Sequence, residues 1–92
     1  MKIKKDFIIK TIGEDIVVVP VKDQAVRFNG IITLNNTGKF LFDLLQKEDL
    51  EKEEIVQILL DKYDVEEELA VSDIDMFINK CKENGLLDEE SL

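Results

Sequence analysis

The chain has 92 residues, 45% of them apolar, with one cysteine, no histidine and a formal net charge of −9. That length makes one domain and that apolar content is enough for a core, which argues against disorder. An acidic chain with a pI near 4.4 repels phosphate backbones and anionic membrane surfaces, and it leaves basic or apolar peptides and proteins as partners.

The N-terminal MKIKKDFIIK is basic. Its apolar run is too short for a signal peptide and no cleavage site follows it, and no run approaches the roughly 18 residues of a membrane span. A soluble cytoplasmic protein is expected. Phe7 to Ile12 is rich in β-branched residues and predicts a strand. Gly13-Glu14-Asp15 is turn material. Ile16 to Val19 is a continuous apolar run that suits a strand covered on both faces. Pro20, with no N–H, ends it or lies on an edge. After the polar Lys22-Asp23-Gln24, Ala25 to Phe28 predicts a short strand and Ile31 to Leu34 a firmer one. Between them Asn29-Gly30 tolerates positive φ at both positions, the strongest short-range signal of a hairpin.

From there the pattern turns helical. Asn35, Asn36 and Thr37 offer side-chain oxygens to a helix start. Phe40, Leu41, Leu44 and Leu45 then give one apolar face to a helix over about Thr37 to Gln46. A second helix begins near Leu50, with Glu51, Glu53 and Glu54 in its first turn, where the helix dipole favours them. Its apolar face is Ile55, Val56, Leu59, Leu60 and Tyr63. The third helical region follows Asp64. Asp64 with Glu67 has the spacing of a capping box, and Ser72 with Asp75 resembles a second start, so a short helix is expected to break before the main one. Leu69, Ile74, Phe77, Ile78 and Cys81 line its apolar face. Gly85 fits the left-handed position past the helix end, with Leu86 folding back on Cys81. Asp88 to Leu92 reads as a frayed tail. Strands first and helices after predict an α+β domain: a small antiparallel sheet of three strands, with a fourth short one as an option, followed by three helices.

The chemistry of catalysis is sparse. There is no histidine to act as base or metal ligand, no phosphate-binding glycine loop and no calcium-loop spacing. Cys81 falls on an apolar face and reads as a core residue; alone, it forms no internal disulfide. The acidic runs Glu51 to Glu54 and Glu66 to Glu68 read as solvated surface. No catalytic residue, cofactor site or metal site is expected. What remains is recognition: a small sheet has edges, and an unblocked edge is a template for a further strand.

The order VVVP, FNGIITLNNTGKFLFDLL, EEIVQILLDKYDV and DIDMFINKCKENGLL resembles the PqqD family. The likeness runs from about Phe7 to Leu87, the span of the expected domain core. It is most specific at Leu34-Asn35-x-Thr37-Gly38 and at Lys80-x-x-x-x-Gly85-Leu86-Leu87. The segment Val21 to Phe28 is longer than in the shortest family members. The resemblance implies a winged-helix-like domain of three strands and three helices. It implies a non-catalytic protein that holds the leader segment of a ribosomally made precursor peptide and presents the peptide to a tailoring enzyme, often a radical S-adenosylmethionine enzyme. The leader would add to the third strand, Ile31, Ile32, Thr33 and Leu34 with Phe28 at its entrance. It would lie against the third helix at Asp73, Met76, Phe77 and Lys80. Two other readings stand beside this one. A winged-helix nucleic-acid binder is disfavoured because the third helix offers only Lys80 and Lys82 among Asp73, Asp75 and Glu83. An accessory subunit that merely stabilises an enzyme is the other. The same exposed edge admits a monomer or a strand-paired homodimer.

Overall fold

A computed structural model of the chain describes residues 1–22 and 32–88. The order of elements is β1 (Phe7–Ile12), β2 (Asp15–Pro20), β3 (Ile32–Leu34), α1 (Asn36–Lys47), α2 (Lys52–Lys62) and α3 (Glu67–Glu83). The expected short strand Ala25 to Phe28, the Asn29-Gly30 turn and the first residue of the predicted third strand, Ile31, lie outside the described residues.

The three strands form an antiparallel sheet in the order β1-β2-β3. Ile12 pairs with Asp15, which leaves Gly13 and Glu14 as a two-residue loop. Gly13 has φ +62 at its first position, where glycine permits a type II′ hairpin whose twist matches the strands. β2 is central, and its apolar run has the predicted cause: adjacent Val17 and Val18 point to opposite faces and both are buried. One face of the sheet, with Phe7, Val18 and Ile32, packs into the core formed with the helices; Leu34 joins it partly buried. On the other face Ile8 and Ile12 stay exposed.

Each helix is set by a local device. The Asn35 side chain accepts from Gly38 N–H at 2.7 Å and so caps α1. Gly38 leaves room for this: a Cβ there would come within 3.2 Å of Leu34 Cβ and 3.3 Å of Asn35 Oδ1. The Leu-Asn-x-Thr-Gly junction is therefore a cap and a close approach in one motif. α1 buries Leu41, Phe42 and Leu45; Phe40 lies partly buried with its ring edge-on to Tyr63 of the α2 end, at 6.1 Å. α2 starts later than Leu50, at Lys52, because Leu50 is drawn into the core and Glu54 accepts from the Glu51 N–H at 3.1 Å. It buries Ile55, Val56 and Leu59.

α3 corrects two expectations. It is one uninterrupted helix through Ser72 and Asp75, beginning at Glu67 with Glu66 as its cap rather than Asp64. The reason is burial: Ala70, Ile74, Phe77, Ile78 and Cys81 form one continuous stripe, which a break at Ser72 would split. Leu69 is consequently off the stripe, and it is 58% exposed instead of lining the core. The helix ends as predicted. Gly85 has φ +70, Leu86 N–H donates to the Cys81 carbonyl and Gly85 N–H to the Lys82 carbonyl, the two bonds of a Schellman cap.

The N-terminal segment carries a contact that hydrophobic periodicity does not show. Ile3 is fully buried and bridges to Leu87; Lys4 N–H donates to the Leu86 carbonyl and Asp88 N–H to the Lys2 carbonyl. The segment Met1 to Lys4 thus ties the two ends of the described chain together. None of the described helices is long and apolar enough to cross a membrane.

Candidate functional site

The direction of every backbone group in the sheet follows from one bond. Val21 N–H donates to the Asp6 carbonyl at 2.8 Å, extending the β1–β2 register by a hydrogen-bonded pair. Pairs alternate in an antiparallel ladder, so odd-numbered residues of β2 turn their backbone groups to β1 and even-numbered ones to β3. Val18 and Ile16 face β3, opposite Ile32 and Leu34. Thr33, opposite Val17, must turn both its N–H and its C=O away from the sheet. Ile32 is buried and Thr33 exposed, in keeping with the same alternation of side chains.

A contact from α3 supports this placement independently. The Lys80 ammonium donates to the Thr33 carbonyl at 3.4 Å, an exposed bond between positions 47 residues apart. Lys80 has no carboxylate within ion-pair distance among the described residues, in contrast to Lys52, which meets Asp75 at 2.7 Å. This side chain reaches from helix to strand and sets an exposed face of α3 beside the β3 edge.

Lys80 also identifies the face of α3 that turns to this edge. Leu69, Asp73, Met76 and Lys80 recur at intervals of four, three and four residues, which puts them on one side of the helix. All four are exposed, Met76 at 67%. The helix therefore presents, in order along its axis, Leu69, Asp73, Met76 and Lys80, with apolar and charged residues alternating. Of the sequence-predicted helix candidates, the structure brings Asp73, Met76 and Lys80 together on this face. Phe77 is 7% exposed and belongs to the core. On the strand, Ile32 is core, Leu34 is half-buried and Thr33 faces out. Phe28 and Ile31 lie outside the described residues. Leu69 is the residue that sequence reasoning assigned to the wrong face. Its signal was available: it is out of step with the Ala70, Ile74, Phe77, Cys81 repeat.

The rest of the described surface offers less. A cleft of about 280 Å³ lies on the far side of α3, lined by Lys52, Glu53, Val56, Gln57, Glu67 and Val71, and has no strand edge beside it. Cys81 is buried, and burial pushes its thiol up to about 12, with a smaller opposing pull from the Lys80 charge. It is no nucleophile at neutral pH. Among the described residues no group of three or more His, Cys, Asp or Glu side chains could hold a metal ion.

Comparison with known proteins gives a family and a fold. The sequence profile of the family described as coenzyme PQQ synthesis protein D (PqqD) matches residues 15–87. No curated protein matches the chain. Among solved structures, one described as TbiB1 in complex with the TbiA(beta) leader peptide superposes with a TM-score of 0.70 at 21% identity, covering 97% of this chain and 96% of that one. The three-stranded sheet followed by three helices is shared with it.

Proposed function

This chain belongs to the PqqD family, and we propose that it is a non-catalytic peptide-binding protein that captures the leader segment of a ribosomally made precursor peptide as a fourth strand. The observation that carries the reading is the outward-turned backbone of Thr33 on the edge strand of the described sheet, with an exposed face of α3 reaching it through Lys80. An incoming strand exchanges two hydrogen bonds with Thr33, and backbone pairing supplies most of its affinity. Leu69 and Met76 offer it apolar side-chain contact. The structurally similar TbiB1 is described in complex with a leader peptide, which supports the same ligand class here.

The captured peptide is then held for a tailoring enzyme, and in this reading that enzyme is a radical S-adenosylmethionine maturase acting in the cytoplasm. The protein works as a monomer, since the edge that would join two copies is the one given to the peptide. A nucleic-acid reading finds little support, because the exposed face of α3 carries Leu69, Asp73 and Met76 around a single lysine.

The test is calorimetric titration with the leader segment of the precursor encoded beside this gene, using wild type and Thr33→Pro. One-to-one binding that Thr33→Pro abolishes supports the reading. Binding that Thr33→Pro leaves intact places the peptide elsewhere.

A further inference from the structure

The register of the edge fixes more than the place of the added strand, and what it adds rests on the strand-addition reading above. The peptide residue opposite Thr33 shares Thr33's face of the sheet, the face away from the core, as directly paired residues do. The residues immediately before and after it fall opposite Ile32 and Leu34 and point to the helix side. Two peptide side chains, two positions apart, therefore lie on the α3 side of the sheet, where Lys80 reaches Thr33.

The Lys80 ammonium already occupies the bonding position that this strand requires. It donates to the Thr33 carbonyl at 3.4 Å, the same oxygen to which a peptide N–H would donate. The oxygen has two lone pairs, so a strand that pairs with Thr33 crowds this ammonium or displaces it. An ammonium has three donors and no acceptor, and crowding it between a peptide and a helix costs solvation unless an acceptor meets it. Asp73 cannot serve, because it lies seven residues back along α3, roughly 10 Å along the axis. No other carboxylate of the described residues is within ion-pair reach of Lys80 in the structure. A carboxylate carried by the peptide beside Thr33 would meet this ammonium directly.

We propose that Lys80 is the specificity-determining residue of this edge, selecting strands that carry a carboxylate next to the residue paired with Thr33. The same rule turns away a second copy of this chain. Pairing β3 with β3 about Thr33 would put Ile32 or Leu34 in the two positions flanking the Thr33 partner, with no carboxylate at either. It would also bring two displaced Lys80 ammoniums to one junction, a like-charge contact.

The experiment is selection of a phage-displayed library of random 12-residue peptides against wild type, Lys80→Met and Lys80→Glu. Lys80 is exposed, so these variants keep the fold. Wild type is expected to enrich Asp or Glu at one fixed position, Lys80→Glu to enrich Lys or Arg there, and Lys80→Met to enrich neither. In a synthetic peptide of the wild-type motif, replacing that acid by its amide should weaken binding about tenfold to wild type and leave binding to Lys80→Met nearly unchanged. Peptides that depend on Thr33 yet show no acidic position, or the same acidic position with all three proteins, overturn the proposal and leave strand addition standing. Selected peptides that bind Thr33→Pro as well as wild type overturn strand addition itself and the proposal with it.

Discussion

Each edge of the sheet has a polar side chain from a helix set on an outward-facing carbonyl, and the two are held very differently. At the β1 edge, Gln46 donates to the Phe7 carbonyl at 2.6 Å and to the Lys4 carbonyl at 3.1 Å from a half-buried position on α1. Its amide is bonded twice and stitches the N-terminal segment to the helix. At the β3 edge, Lys80 makes one exposed bond at 3.4 Å to Thr33. An exposed ammonium with a single long bond exchanges readily with water. The first contact is part of the fold; the second holds a place beside which a peptide backbone can bond. The comparison explains how a three-stranded sheet can have two edges and offer one of them to a ligand.

The sharpest way to break this account is proline scanning of β3. Ile32 is buried and turns its N–H inward to the ladder with Val18, so Ile32→Pro should destabilise the protein by about 2–3 kcal/mol or more. Thr33→Pro removes an N–H that bonds nothing among the described strands, so the protein should stay folded and lose peptide binding. Urea denaturation of both variants checks the pair. Equal destabilisation would mean that the direction of the backbone groups on β3 is wrong.

Deleting the two edge side chains gives the next effect in size. Gln46→Ala removes the bonds that its amide makes to two partly buried carbonyls and should cost about 1–3 kcal/mol. Lys80→Ala removes an exposed contact and should change stability by no more than about 0.5 kcal/mol. Denaturation midpoints measured side by side would show the asymmetry. Similar losses would mean that both residues are structural.

Much of this arrangement was legible in the residues. Gly13 and Gly85 mark positive φ, Asn35 marks a helix start, and the helical repeats mark the core. Apolar periodicity reports local burial, so it read α2 and the end of α3 well; on α1 it found Leu41 and Leu45 but gave the partly buried Phe40 and Leu44 and missed the buried Phe42. It misplaced Leu69 because the capping signals at Ser72 and Asp75 suggested a new helix, which would have reset the phase; tertiary burial of Ala70 and Ile74 kept the helix whole. The docking of Ile3 on Leu87 was not legible, since a single apolar residue among lysines has no period. The strand half of the site followed from β propensity and the expectation of an edge. The Lys80 to Thr33 contact could not, because it joins positions 47 residues apart through one flexible side chain.

Cys81, beside Lys80 on α3 but turned to the core, tests the buried side of the same helix. Its thiol is raised from 9.0 to about 12 by burial. The folded state then binds the proton more tightly than the unfolded state does. The stability this contributes is whole below pH 9 and declines as pH rises from 9 toward 12. A thiol reagent at pH 8 should react slowly with the folded protein and at the rate of a free thiol in urea. Fast reaction in the folded state would mean that the core around Ile74, Phe77 and Cys81 opens easily.

The most direct measurement is residue-resolved amide hydrogen exchange by NMR, with and without the leader peptide. In the free protein the Thr33 amide should exchange rapidly while its neighbours Ile32 and Leu34 are protected by β2. Adding peptide should protect Thr33 and leave its neighbours as they were. A Thr33 amide protected in the free protein, or unprotected when peptide is bound, would contradict the claim that β3 offers this residue to an added strand.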